Sequence, residues 1–154
     1  MNSADDNAAI ARAIIDANHY MVLGTADEHG SPWASPVWFA TEAYRRFVWV
    51  SSPAARHSRN LAVRPQLSIV IFDSTVTPGD GQAVYMSATA EELTGDEIDA
   101  GLEVYARGSE AAGLRVWTRE NVVAPARHRS YRAVASEHFI LGERDERVPV
   151  TLSP

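Results

Sequence analysis

The succession of short apolar runs constrains this chain more than any other feature. "YMVLGTA" (20–26), "ASPVWFA" (34–40), "RFVWVS" (46–51), "LSIVIFD" (67–73) and "AVYMSATA" (83–90) are rich in β-branched and aromatic residues, and turn material such as "DEHGSP" and "TPGDGQ" separates them. Runs this short, joined by tight turns, pair with their neighbours, which predicts an antiparallel sheet. "SYRAVASEHFIL" (130–141) adds a long late strand and "RVPVTL" (147–152) another. The chain therefore reads as mainly β with a few helices. A sandwich and a barrel both suit the pattern, and periodicity does not choose between them.

Helical spacing intrudes at three places. Ser3 and Asp6 are spaced as a capping box, and Ile10, Ala13, Ile14 and Ala17 recur on one face, which predicts a helix to about Asn18. "SPAARHSRNLAVRP" predicts a short helix with Ser52 as N-cap and Pro53 at its first position. Thr94 and Glu97 repeat the capping-box spacing before the stripe Ile98, Leu102 and Tyr105, with Gly108 as the stop. No internal repeat, low-complexity tract or linker divides the 154 residues, so one domain is expected.

Composition removes several chemistries. The absence of cysteine excludes disulfides, thiolate nucleophiles and Cys-based metal sites, and makes the cytoplasm the simplest compartment. All 14 basic residues are arginine, so no Schiff-base lysine and no Walker A lysine exists. "GDG" at 79–81 is a fragment of a dinucleotide fingerprint in the wrong context, and no GxSxG, HExxH or EF-hand loop occurs. His19, His29, His57, His128 and His138 lack metal-ligand spacing, so no metal is expected. The N-terminus carries acids where a secretory signal needs positive charge, and no apolar run is long enough to span a bilayer, which predicts no membrane partner.

Charge is segregated. The chain has a formal net charge of −6, yet Ala43 to Phe72 contains no Asp or Glu and holds Arg45, Arg46, Arg56, Arg59 and Arg64. The acidic total argues against a general nucleic-acid binder, so any anion is held locally. Within the run, a strand ending in Ser51 and Ser52 leads into a helix N-terminus, where free N–H groups and the helix dipole favour negative charge. Arg56 and Arg59 add bidentate donors, and a protonated His57 would add one more. A solvated amphipathic helix accounts for the same residues, and composition leaves both readings open.

The order "GTADEHGSPWASPVWFA", "FVWVSSPAARHSRNLAVRPQLSIVIF", "AVYMSATAEEL" resembles the pyridoxamine 5′-phosphate oxidase-like flavin-binding split-barrel superfamily, in its small actinobacterial-type members. The resemblance runs from about Tyr20 to Leu93 and continues more loosely through the C-terminal strands. It implies a six-stranded antiparallel split β-barrel with flanking helices: a helix over 3–18, barrel strands within about 20–93 and 128–152, and a helix over 95–108. It also implies a homodimer with two flavin sites across the interface, a small-molecule substrate, and hydride transfer through the N5 of bound FMN. Carried over by position, Arg56 and His57 grip the FMN phosphate, with Arg59 in support. Ser35, Pro36, Val37 and Trp38 run along the flavin ring, Val50 and Ser51 lie near the phosphate, Gln82 offers an amide to the ring, and Trp117 reaches the partner's site.

The resemblance does not single out a catalytic residue. Ala40 stands where the oxidase has a lysine, and the oxidase's C-terminal Arg-x-His element is missing, so the expected activity is not pyridoxamine phosphate oxidation itself. Three alternatives use the same residues. An 8-hydroxy-5-deazaflavin coenzyme also presents a flat ring and a phosphate. A non-catalytic haem-binding barrel would take His138 or His57 as axial ligand. A polyanion-binding barrel would use aromatic platforms beside the basic run.

Overall fold

The computed structural model describes residues 3–152. Eight strands among them form one antiparallel sheet: β1 (Tyr20–Ala26), β2 (Pro32–Trp38), β3 (Ala40–Glu42), β4 (Arg46–Ser51), β5 (Gln66–Phe72), β6 (Ala83–Glu92), β7 (Arg129–Leu141) and β8 (Arg147–Val150). Their order is β2-β1-β5-β6-β7-β4-β3, with β8 pairing β7 beside the stretch that β4 leaves free. The sheet curls until β2 and β4 touch without pairing, which makes it a split barrel. Strand number departs from the expected six because the backbone breaks at Phe39 to give the three-residue β3, and because the four-residue β8 folds back on β7.

Direct pairing assigns each side chain to a face, since cross-strand partners share one. Met21, Leu23, Ile69, Ile71, Val84, Met86, Phe47, Trp49 and Tyr131 face inward and form the core, with Trp49 stacked on Tyr131 at 5.6 Å. Helix α1 (Ala4–Ala17) packs on the core against β5, β6, β7 and β8, and its capping box forms as its spacing predicts: Asp6 N–H donates to Ser3 Oγ and Ser3 N–H to Asp6 Oδ2, both at 3.1 Å. Its buried stripe is Ala8, Ala11 and Ile15, offset from the expected one, of which half-buried Ile14 still packs against the core.

The other two helices, α2 (Arg56–Val63) and α3 (Asp96–Ala111), both start later than their spacing suggests. Ser52 does not cap α2: its hydroxyl accepts Ala54 N–H at 3.1 Å and its carbonyl accepts Ala55 N–H at 3.1 Å, so Ser52 and Pro53 build a turn ahead of the helix. Gly95, at φ +58°, is the N-cap of α3, and Thr94 stands outside it. Gly108 does not stop α3. It permits contact with β3, since a Cβ there would lie 2.9 Å from Ala40 Cβ and 3.4 Å from the Trp38 ring. The Ala40 Cβ is fixed to its backbone and cannot rotate away, so Gly108→Val should lower unfolding stability by about 1–3 kcal/mol despite valine's better helix propensity. Chemical denaturation measures this, and an unchanged midpoint would mean that the packing is loose.

Candidate functional site

The acid-free run does not become one basic patch. β4 carries its two ends apart: Arg45 and Arg46 lie at the β3–β4 turn, where Arg46 pairs with Glu42 at 3.6 Å, while Arg56, Arg59 and Arg64 follow the opposite end of the strand on α2 and its C-cap.

Around α2 the arginines have different work. Arg59 donates to the carbonyl of Ala54 and steadies the turn that precedes the helix. Arg64 Nε donates to the Asp27 carbonyl at 2.6 Å and its Nη2 to the Glu28 carbonyl at 3.1 Å, which ties α2 to the β1–β2 turn. Between them in sequence, buried Asn60 Nδ2 donates to Thr25 Oγ1 at 3.0 Å. Arg56, Asn60 and Arg64 are four apart, so one helix face holds the β1–β2 hairpin along its length. Arg56 makes its own contact over the Trp33 ring, with its guanidinium carbon 4.3 Å from the ring centroid. Among the described residues its exposed guanidinium makes no side-chain hydrogen bond or ion pair, which leaves its N–H donors unspent. Its charge does reach the Asp27 carboxylate, whose pKa is lowered first by the Ser31 N–H and last by Arg56.

The helix end beside it is uncapped. Ala55 is the N-cap and offers no side-chain acceptor, so the first-turn N–H groups lack an intrahelical partner and their partial positive charge adds to that of Arg56. Next to Trp33 an open groove of about 940 Å³ crosses the outer sheet face, floored by small residues such as Gly24, Ala34, Ser68 and Ser87. Gly24 keeps that floor low, because a Cβ there would run into Ser68 Oγ.

The expected site residues separate into distinct places. Arg56 and Arg59 are exposed at the start of α2. His57 is buried and turned inward, with Nε2 at 2.9 Å from Ser51 Oγ. Burial lowers its pKa, so the imidazole is neutral near pH 7 and adds no positive charge there, contrary to the charge-assisted role that a protonated ring would play. Val37 is buried in the core, Ser35 is half-buried on the same strand face, and Pro36 is exposed on the other. Trp38, Val50 and Trp117 come together, packed around Tyr105 and Val104 of α3, with Trp38 edge-on to Tyr105 at 5.0 Å. Gln82 lies at the far end of the sheet, beyond the Phe72↔Ala83 pair, where its amide donates to the Leu141 carbonyl at 2.8 Å. Asn60, Thr25 and Trp33 complete the arrangement around α2 without having been expected there. The four-residue spacing of Arg56, Asn60 and Arg64 was the signal for the first of them.

Neither barrel histidine offers a free Nε2. That of His138 is 2.7 Å from the Tyr44 carbonyl, and burial is the main cause that lowers the His138 pKa. Both folded-state values are depressed below the unfolded one, so the unfolded chain takes up protons first on acidification. The stabilisation is complete above about pH 6.5 and declines as pH falls through the folded values. Melting temperature should therefore drop between pH 7 and 5, and His57→Gln should flatten that drop. An unchanged slope in the variant would show that His57 does not titrate with unfolding.

The sequence pattern of the pyridoxamine 5′-phosphate oxidase family matches residues 9–134. No functionally curated protein matches the sequence. Among solved structures, a heme binding protein from Mycobacterium smegmatis superposes with a TM-score of 0.72 at 24% identity over 98% of this chain. This chain spans only 59% of that protein's length. HutZ, the heme storage protein from Vibrio cholerae, gives 0.66 at 22% identity, covering 84% of this chain and 90% of its own. An F420 reductase gives 0.60 at 15%, covering 83% and 94%. At these identities the structures share the fold, while the sequence match spans most of the chain. The curled antiparallel sheet, the basic helix after β4 and that match together place this chain in the pyridoxamine 5′-phosphate oxidase family.

Proposed function

We propose that the protein is an FMN-binding oxidoreductase acting as a homodimer on a small molecule in the cytoplasm. The observation that carries this reading is the unspent guanidinium of Arg56 beside the uncapped start of α2, next to an open groove. A phosphate fits that combination, since guanidinium and backbone N–H groups are both donors and both positive. Arg59 and Arg64 hold the turn and the hairpin that frame the seat, and Ser51 with His57 packs behind it. Bound FMN would supply hydride transfer at its N5, and the chain's residues would bind and orient it.

The dimer reading rests on the outer sheet face. Pro36, Val22, Val70, Tyr85, Phe139 and Pro149 pair in one continuous row across six strands, all of them exposed or half-buried. Tyr20 and Phe72 are 58% and 47% exposed. An apolar row of this length suits a second copy of the chain, which would roof the groove and exclude water from a flat ring. The names of the structural relatives include haem binding and F420 reduction. Nε2 of both His57 and His138 is already engaged, so either histidine would have to ligate iron through Nδ1 or give up that contact.

The experiment loads the protein with FMN and adds reduced nicotinamide coenzymes without oxygen, following the flavin absorption band. Bleaching is expected. FMN that stays bound and unreduced by every donor would make the protein a cofactor carrier.

A further inference from the structure

Trp33 is 42% exposed at the start of β2, and α2 holds it twice. Arg56 lies across its ring. Asn60, one helical turn on, donates to Thr25 Oγ1, and Thr25 Oγ1 donates in turn to the Trp33 carbonyl at 3.4 Å. Helix, strand and indole thus form a closed circuit, in which the Trp33 main chain is fixed by one helical residue and its ring is covered by another.

A free arginine at a helix start samples many rotamers, and ordering it on binding an anion costs entropy. A cation held over an indole loses much of that freedom without spending a hydrogen-bond donor on the contact. The other two arginines of this segment have spent donors on carbonyls, Arg59 on Ala54 and Arg64 on Asp27 and Glu28. Only on Arg56, of these three, does the holding contact cost no hydrogen-bond donor.

We propose that Trp33 is a positioning residue that pre-orients the Arg56 guanidinium for the cofactor phosphate, an inference that rests on the FMN reading above. Trp33 acts through Arg56 and on the phosphate alone, which separates it from a residue that stacks on the flavin ring.

Titrations of wild type, Trp33→Leu, Trp33→Phe, Arg56→Ala and the Arg56→Ala/Trp33→Leu double variant, each with FMN and with riboflavin, test this. Trp33→Leu is expected to weaken FMN about three- to tenfold and to leave riboflavin unchanged, and Trp33→Phe to retain most of the affinity. In the Arg56→Ala background, Trp33→Leu should have no further effect on FMN. Equal losses for FMN and riboflavin, additive losses in the double variant, or no loss at all would each overturn the positioning role while the FMN reading stands. Wild type that binds neither flavin would overturn that reading, and the role of Trp33 with it.

Discussion

Val70→Glu should convert the proposed dimer to a monomer and weaken FMN by on the order of 100-fold or more, with the far-ultraviolet circular dichroism unchanged. Val70 is half-buried at the middle of the outer apolar row, between Val22 on β1 and Tyr85 on β6. Its side chain points away from the core, so a carboxylate there stays hydrated in the monomer. In a symmetric dimer the same substitution occurs in both copies, and each desolvated, unpaired carboxylate costs several kcal/mol. Sedimentation and a flavin titration read both consequences. A monomer that keeps full affinity would confine the site to one protomer, and a variant that remains dimeric would move the interface elsewhere.

Arg56→Ala should weaken FMN by about 1.5–3 kcal/mol, roughly 10- to 150-fold, the scale of a charge-assisted hydrogen bond. Riboflavin, which lacks the phosphate, should bind both proteins alike. Fold stability should fall by about 1 kcal/mol at most, because the side chain contributes only its exposed stack on Trp33. Calorimetry with the two flavins separates the possibilities. If FMN and riboflavin lose affinity together, Arg56 acts on the ring or on the fold, and if neither does, the phosphate is held elsewhere.

Much of the fold is legible in the sequence because strand runs and turns are local signals. The β-branched runs become strands close to their expected bounds, and the Ser3–Asp6 capping box forms. Helix starts are less legible, since one hydroxyl serves either a cap or a turn. Ser52 closes a turn with Ala54 and Ala55, which shifts α2 three residues on and leaves Ala55 as its uncapped first neighbour. A glycine within a helical pattern is equally ambiguous, and at Gly108 tertiary packing decides.

The candidate site is legible in its arginine and not in its surroundings. Arg56 is exposed at the first position of α2, where the spacing puts Pro53. His57 looks like a second cation in sequence, yet its place on the inward face of α2 buries it against Ser51 and keeps it neutral. Linear clustering misleads over Arg45 and Arg46, because the extended β4 puts its full length between them and α2. Trp33 and Thr25 join the site only through the β1–β2 register and their contacts with α2, which no local pattern encodes.

Parallel titrations of the purified protein with FMN, an 8-hydroxy-5-deazaflavin coenzyme and haem, followed by absorption, test the proposed FMN reading most directly. One FMN per protomer, bound more tightly than either competitor, is the predicted result. Tighter binding of the deazaflavin or of haem, or binding of none of the three, would contradict it.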